Sequence, residues 1–189
     1  MDRRDAIKTL VVVTAGSTLL AGCEDKASIT LTNIPLTGSQ EDLVAAIAET
    51  LIPKTENFVG AQDLRSHEFA LVMMDDCASP EDQKLFTDAM TQFDEACKAQ
   101  TKKRFAKLSP EDRRTFLLRL EARETVHEQP EVNENIMRFY TTMRQFTIRS
   151  FTTSEQYLTQ IRDFNLVPPP FQACVPVPVA STTTPIPVQ

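Results

Sequence analysis

The run Ser79-Pro80-Glu81-Asp82-Gln83-Lys84-Leu85-Phe86-Thr87-Asp88-Ala89-Met90-Thr91-Gln92-Phe93-Asp94-Glu95-Ala96-Cys97 has the marks of one long amphipathic helix. Ser79 is a good N-cap, Pro80 suits the first turn because its missing N–H is not needed there, and Glu81 and Asp82 face the positive helix end. Behind them Leu85, Phe86, Ala89, Met90, Phe93, Ala96 and Cys97 recur at three- and four-residue steps, a stripe that must be buried against other elements. The spacing predicts a helix continuing towards Phe105.

The same chemistry recurs on both sides of this run. Downstream, Ser109-Pro110-Glu111-Asp112 starts a helix with Phe116, Leu117 and Leu120 on its apolar face. Gln129-Pro130-Glu131 opens another, whose seam of Val132, Ile136, Phe139, Tyr140, Met143 and Phe146 reaches Phe151. Thr153-Ser154-Glu155 caps a last short helix through Ile161. Upstream, Gly38-Ser39 announces a helix with Ser39 as N-cap and Asp42 in the capping-box position. Leu43, Ala46, Ile47, Thr50 and Leu51 share its face, and Pro53 ends it. Asp63 reads as the N-cap of a helix in which Phe69 or Ala70, Met73, Met74 and Cys77 lie at helical spacing. The two Ser-Pro-Glu-Asp segments share capping chemistry and little after it, so no internal repeat is present. The expected fold is all-α, a single-domain bundle of five or six helices over residues 39–166.

The N-terminus reads as an address. Arg3 and Arg4, followed by Ile7 and Lys8, have the layout of a twin-arginine export signal, with Ala6 standing where a bulky apolar residue is usual. An apolar run from Thr9 to Leu20 closes on Leu20-Ala21-Gly22-Cys23, the pattern cut by a lipoprotein signal peptidase to leave a lipidated Cys23. The run is shorter than the roughly 20 residues a spanning helix needs. Residues 1–22 are therefore expected to be a removable signal peptide, and the chain an exported lipoprotein anchored on the periplasmic side of a membrane. Residues 23–38, polar and rich in Ser and Thr, read as a tether, although Ile29-Thr30-Leu31-Thr32 alternates like a short strand.

The C-terminus changes composition at Val167. Seven prolines between Pro168 and Pro187 deny the chain helical hydrogen bonds and favour an extended path over residues 167–189. Phe171, Cys174, Val175 and Val177 alternate with prolines there, a pattern suited to lying in a groove on another surface. They are the candidate partner-binding residues.

Composition narrows the function. Three of the 20 basic and two of the 26 acidic residues lie in the signal, leaving 17 basic and 24 acidic groups in a mature chain of 167 residues. That acidic balance argues against nucleic acid and against electrostatic attraction to anionic lipid, so membrane attachment rests on Cys23. No dinucleotide fingerprint, P-loop, haem site or Cys/His metal cluster occurs among the 4 Gly, 4 Cys and 2 His. His67 and His127 are far apart and read as structural or exposed histidines. Asp75-Asp76 and Glu111-Asp112 sit at helix ends, where dipole and capping effects account for them. Cys77 and Cys97 are separated by most of a straight helix, about 25 Å at 1.5 Å per residue. By elimination Cys174 is the candidate for a bond to a partner or to one of the two helical cysteines. A twin-arginine signal carries folded cargo, and a chain with no cofactor to load implies that its cargo is a second protein.

In order, Glu49-Thr50-Leu51-Ile52-Pro53, Gly60-Ala61, His67-Glu68-Phe69, Leu108-Ser109-Pro110-Glu111, Phe151-Thr152-Thr153-Ser154-Glu155, Val167-Pro168-Pro169 and Cys174-Val175-Pro176 resemble the gluconate 2-dehydrogenase subunit 3 family. The resemblance runs from about residue 40 to residue 178, with a departure at Glu56-Asn57-Phe58-Val59. It implies a helical, non-catalytic small subunit without a cofactor of its own. Its partner would be a large FAD-dependent sugar dehydrogenase of the glucose-methanol-choline type that lacks an export signal, and in many members a cytochrome c subunit accepts the electrons. A free-standing lipoprotein adaptor is the alternative. For an independent enzyme the chain presents no nucleophile, base or cofactor site.

Overall fold

The computed structural model describes residues 26–124, 126–162 and 164–167, together with Pro170 and Cys174. Within these residues the chain forms six α-helices, one 3-10 turn and no strand, as the periodicity predicts. They are α1 (Gly38–Leu51), α2 (Ser66–Cys77), α3 (Pro80–Thr101), the 3-10 turn Phe105–Lys107, α4 (Pro110–Glu121), α5 (Pro130–Thr152) and α6 (Glu155–Gln160).

α5 packs along both α2 and α3, while α1 lies against α2, α4, α5 and the 3-10 turn. Phe93 of α3 is the hub of the core. It is fully buried, with its ring centroid 5.3 Å from Phe105, 5.4 Å from Phe116 and 5.6 Å from Phe139, so it touches three other elements. These are edge-on contacts, which put the positive ring edge against the negative ring face.

Caps decide where the elements start and stop. Ser79 and Ser109 act as expected, each hydroxyl accepting the backbone N–H of the aspartate three residues on at 3.2 Å. α1 starts differently. Its N-cap is Thr37, which exchanges bonds with Gln40 in a reciprocal capping box, rather than Ser39 with Asp42. Asp63 does not cap α2. Its carboxylate instead accepts the Gly60 N–H at 3.1 Å and the Lys54 ammonium at 3.2 Å, and α2 begins after Arg65, which is left-handed with φ 51°. α3 stops at Thr101 instead of continuing to Phe105, because Lys102 turns left-handed with φ 63°. The turn lets the Phe105 N–H reach Asp94 Oδ1 at 3.0 Å and sends the Phe105 ring into the core.

The tether expected over residues 23–38 is corrected for its described part. From Lys26 onward the segment lies on the bundle, with Ile34 buried and Ile29, Leu31 and Leu36 packed against the core. Lys26 and Thr37 form an isolated antiparallel bridge that closes the segment into a loop. Two acids hold it. Asp75 accepts the N–H groups of Thr32 at 2.7 Å, Asn33 at 2.8 Å and Ile34 at 2.7 Å, and Glu41 accepts the N–H of Ser28 at 2.5 Å and also its hydroxyl. Polar composition suggested a spacer, but these carboxylates replace the sheet partner that the backbone lacks. Asp75 is therefore not a helix-dipole residue. It stands near the C-terminal end of α2, where the dipole disfavours an anion, and the N–H groups of the loop stabilise it there.

Candidate partner-binding surface

The C-terminal end of the bundle is built on an aromatic joint. α5 closes at Thr152, Ser154 caps α6 by accepting the Tyr157 N–H at 3.2 Å, and the chain folds back as the Phe164 N–H donates to the Leu158 carbonyl at 2.8 Å. Phe151 stands 5.4 Å from Tyr157 on one side and 5.4 Å from Phe58 on the other. Phe58 belongs to the stretch Glu56–Val59 that departs from the expected pattern, and it uses that stretch to brace the joint. The loop is shaped by Gly60, where a Cβ would stand 2.5 Å from the Lys54 backbone nitrogen, so no larger residue fits without moving the backbone.

Beyond this joint the chain presents a series of uncovered apolar side chains. Ile161 is 54% exposed, Phe164 53%, Leu166 83% and Val167 77%. Isolated exposed apolar residues are ordinary, but four within seven positions mark a surface that gains by being covered. This arm runs directly into the segment of Phe171, Cys174, Val175 and Val177. Of those four, Cys174 is described and is exposed, whereas Phe171, Val175 and Val177 lie outside the described residues, as do Arg3, Arg4 and Cys23. From sequence the last helix runs through Ile161, the bundle to residue 166 and the composition changes at Val167, so the arm is not singled out there. The closely spaced apolar residues before the first proline were its signal.

A second apolar surface lies between α2, α3 and α5. Met74, Ala78, Leu85, Phe86 and Phe139 line a cleft of about 220 Å³, and Arg138 approaches Asp82 to 3.9 Å across its rim. Leu85, expected in the buried stripe, is 43% exposed here. Asp82 also accepts the Ser79 hydroxyl at 2.8 Å, so the helix cap holds its carboxylate at the rim of the cleft.

The remaining reactive groups have structural surroundings. His67 is mostly buried in the first turn of α2, 3.8 Å from Glu68, and burial lowers its pKa against the opposing pull of Glu68 and Glu41. His127 Nδ1 accepts the Gln129 N–H at 3.1 Å in the turn before α5. Tyr140 donates its hydroxyl to Glu121 at 2.7 Å, and burial first, then that carboxylate, pushes its pKa upward. Among the described residues no three His, Cys, Asp or Glu side chains are grouped to hold a metal ion, and no helix is long and apolar enough to cross a membrane.

The three described cysteines are free thiols. Cys97 is fully buried, and burial pushes its thiol up to about 11. It cannot meet Cys174 without opening the core. Cys77, at the end of α2, is exposed.

The described residues thus form a small all-α domain that ends in an exposed apolar arm. The family model for gluconate 2-dehydrogenase subunit 3 matches residues 38–169, and the chain belongs to that family, one of subunits of a dehydrogenase complex. The match starts on the first residue of α1 and ends in the proline run after the arm. No curated protein and no solved structure matches the chain.

Proposed function

We propose that this chain is the non-catalytic small subunit of a periplasmic FAD-dependent sugar dehydrogenase of the glucose-methanol-choline type, and that it serves the flavoprotein as export escort, folding partner and membrane tether. The observation that carries this reading is the exposed arm Ile161 to Val167, continuous with Phe171, Cys174, Val175 and Val177, in a chain of this family. A partner that covers the arm removes apolar surface from water at about 25 cal/mol per Å², which favours a lasting complex over a transient one. FAD belongs to the partner, a cytochrome c subunit is the natural electron acceptor, and this chain supplies address and contact surface. Arg3 and Arg4 provide the export signal, and a lipid on Cys23 holds the complex at the membrane.

Cell fractionation tests the escort role. In the variant carrying Arg3→Lys and Arg4→Lys, both this chain and the flavoprotein are expected to stay in the cytoplasm, with dehydrogenase activity lost from the periplasmic fraction. Cys23→Ser is expected to leave export in place and to release activity from the membrane. Flavoprotein reaching the periplasm at the normal level in the double lysine variant would reject the escort role.

A further inference from the structure

The net charge of −6 conceals a local exception. Residues 98–107 contain Lys98, Lys102, Lys103, Arg104 and Lys107 and no acidic residue. Lys98 follows Asp94 by one four-residue step on the last turns of α3, and Lys102 is the residue that caps the C-terminal end of the helix. The left-handed Lys102 then turns Lys103 and Arg104 away from the helix axis, and all four side chains are exposed. Among the described residues Lys98 and Lys103 enter no ion pair, and the Lys102 ammonium donates to the Ala99 carbonyl at 3.2 Å. Arg104 is drawn to Asp94 at 3.6 Å, leaving Glu95 as the nearby acid not so engaged.

This basic end lies beside the place where the chain joins its address. Thr37, Gln40, Thr91, Asp94 and Arg104 line one cleft, and Thr37 is bridged to Lys26. Lys26 is three residues from Cys23, a reach of about 11 Å at most for fully extended chain. Because Asp75 and Glu41 clasp the loop behind Lys26, no longer spacer is available. A lipid on Cys23 would therefore lie within about 11 Å of Lys26, which is bridged to the cleft that Arg104 lines, and Lys and Arg beside headgroups are attracted to anionic lipid.

We infer that Lys98, Lys102 and Lys103 form a headgroup-binding surface that seats the bundle on an anionic phospholipid bilayer beside its own anchor. The inference rests on the lipidation of Cys23 for its geometry. It adds an electrostatic attachment to that of the acyl chains, and it fixes which end of the bundle faces the membrane.

The test uses the full chain in its complex, extracted in detergent and returned to vesicles of phosphatidylcholine alone or enriched in phosphatidylglycerol. Lysine acetylation by an amine-reactive ester is followed by mass spectrometry, with Lys84, at the far end of α3 and paired with Asp88, as the internal control. Labelling of Lys98, Lys102 and Lys103 is expected to slow about fivefold on the anionic vesicles, and the protection to disappear at about 0.5 M salt, where screening is within a few Å. Replacing the three lysines by glutamine should speed transfer of the anchored chain between anionic vesicles by about fivefold per side chain, and leave transfer between neutral ones unchanged. The mass of the N-terminal peptide reports the lipid separately. Lipidated Cys23 with equal labelling on both vesicles overturns the headgroup surface and leaves the anchor standing. Unlipidated Cys23 with protection confined to anionic vesicles removes the anchor and keeps the surface. Protection already complete in the detergent-extracted complex also overturns it, and assigns those lysines to the protein partner.

Discussion

Asp75 shows how one side chain can replace a whole element. Burial alone would raise its pKa, but the N–H groups of Thr32, Asn33 and Ile34 outweigh that effect and hold the carboxyl below the usual range. A group with a depressed folded pKa stabilises the fold fully above its unfolded value of about 3.9, and that stability is lost as pH falls through the folded value. Asp75→Asn should therefore be less stable than wild type in urea melts at pH 7, and the gap should narrow below about pH 4. Thermolysin should also cut the variant earlier within residues 28–34, since the loop has lost its acceptor. The cysteines separate by the same environmental logic. With its thiol pushed to about 11, Cys97 is thiolate in roughly one molecule per thousand at pH 8. Iodoacetamide should modify Cys77 in the native chain and Cys97 only after unfolding, as peptide mapping would report. The proposed loop role of Asp75 could not be read from sequence, because its partners are some 40 residues away and contribute only backbone.

Helix ends were the most legible features, because a cap is a local interaction within about four residues. Ser79 and Ser109 illustrate it: each hydroxyl satisfies a first-turn N–H that would otherwise lack a partner. Ser79→Ala and Ser109→Ala should each cost about 1 kcal/mol, measured by denaturant unfolding, with the two losses close to additive because the caps start different helices. Where two local signals competed, sequence chose wrongly. Thr37 and Ser39 both qualify as N-caps, and Thr37 is favoured because its bridge to Lys26 already sets the extended backbone that an N-cap requires. Asp63 was drawn into the Gly60 loop by Lys54, a tertiary choice between two acceptable partners.

At the scale of the whole molecule, α3, α4, α5 and the 3-10 turn meet at Phe93. Phe93→Ala should cost about 3–5 kcal/mol, since it removes a fully buried ring and its edge contacts on three elements together. Thermal unfolding followed by far-UV dichroism would measure it, and the loss should exceed that of Leu85→Ala, whose side chain is partly exposed on the cleft. The sequence by itself determined the all-α class, a bundle of five or six helices and most of their buried faces, because 3.6-residue periodicity and capping are local properties of the chain. The order of family motifs was also legible, and the family match over residues 38–169 agrees with it. Tertiary structure alone decided that residues 26–37 are clasped rather than free, that α3 breaks at Lys102, and that the apolar arm from Ile161 to Val167 stays uncovered. Each of those outcomes depends on atoms far apart in the chain. A carboxylate accepting distant N–H groups, a ring claimed by a distant core, and an apolar run left exposed become visible only when the chain is folded.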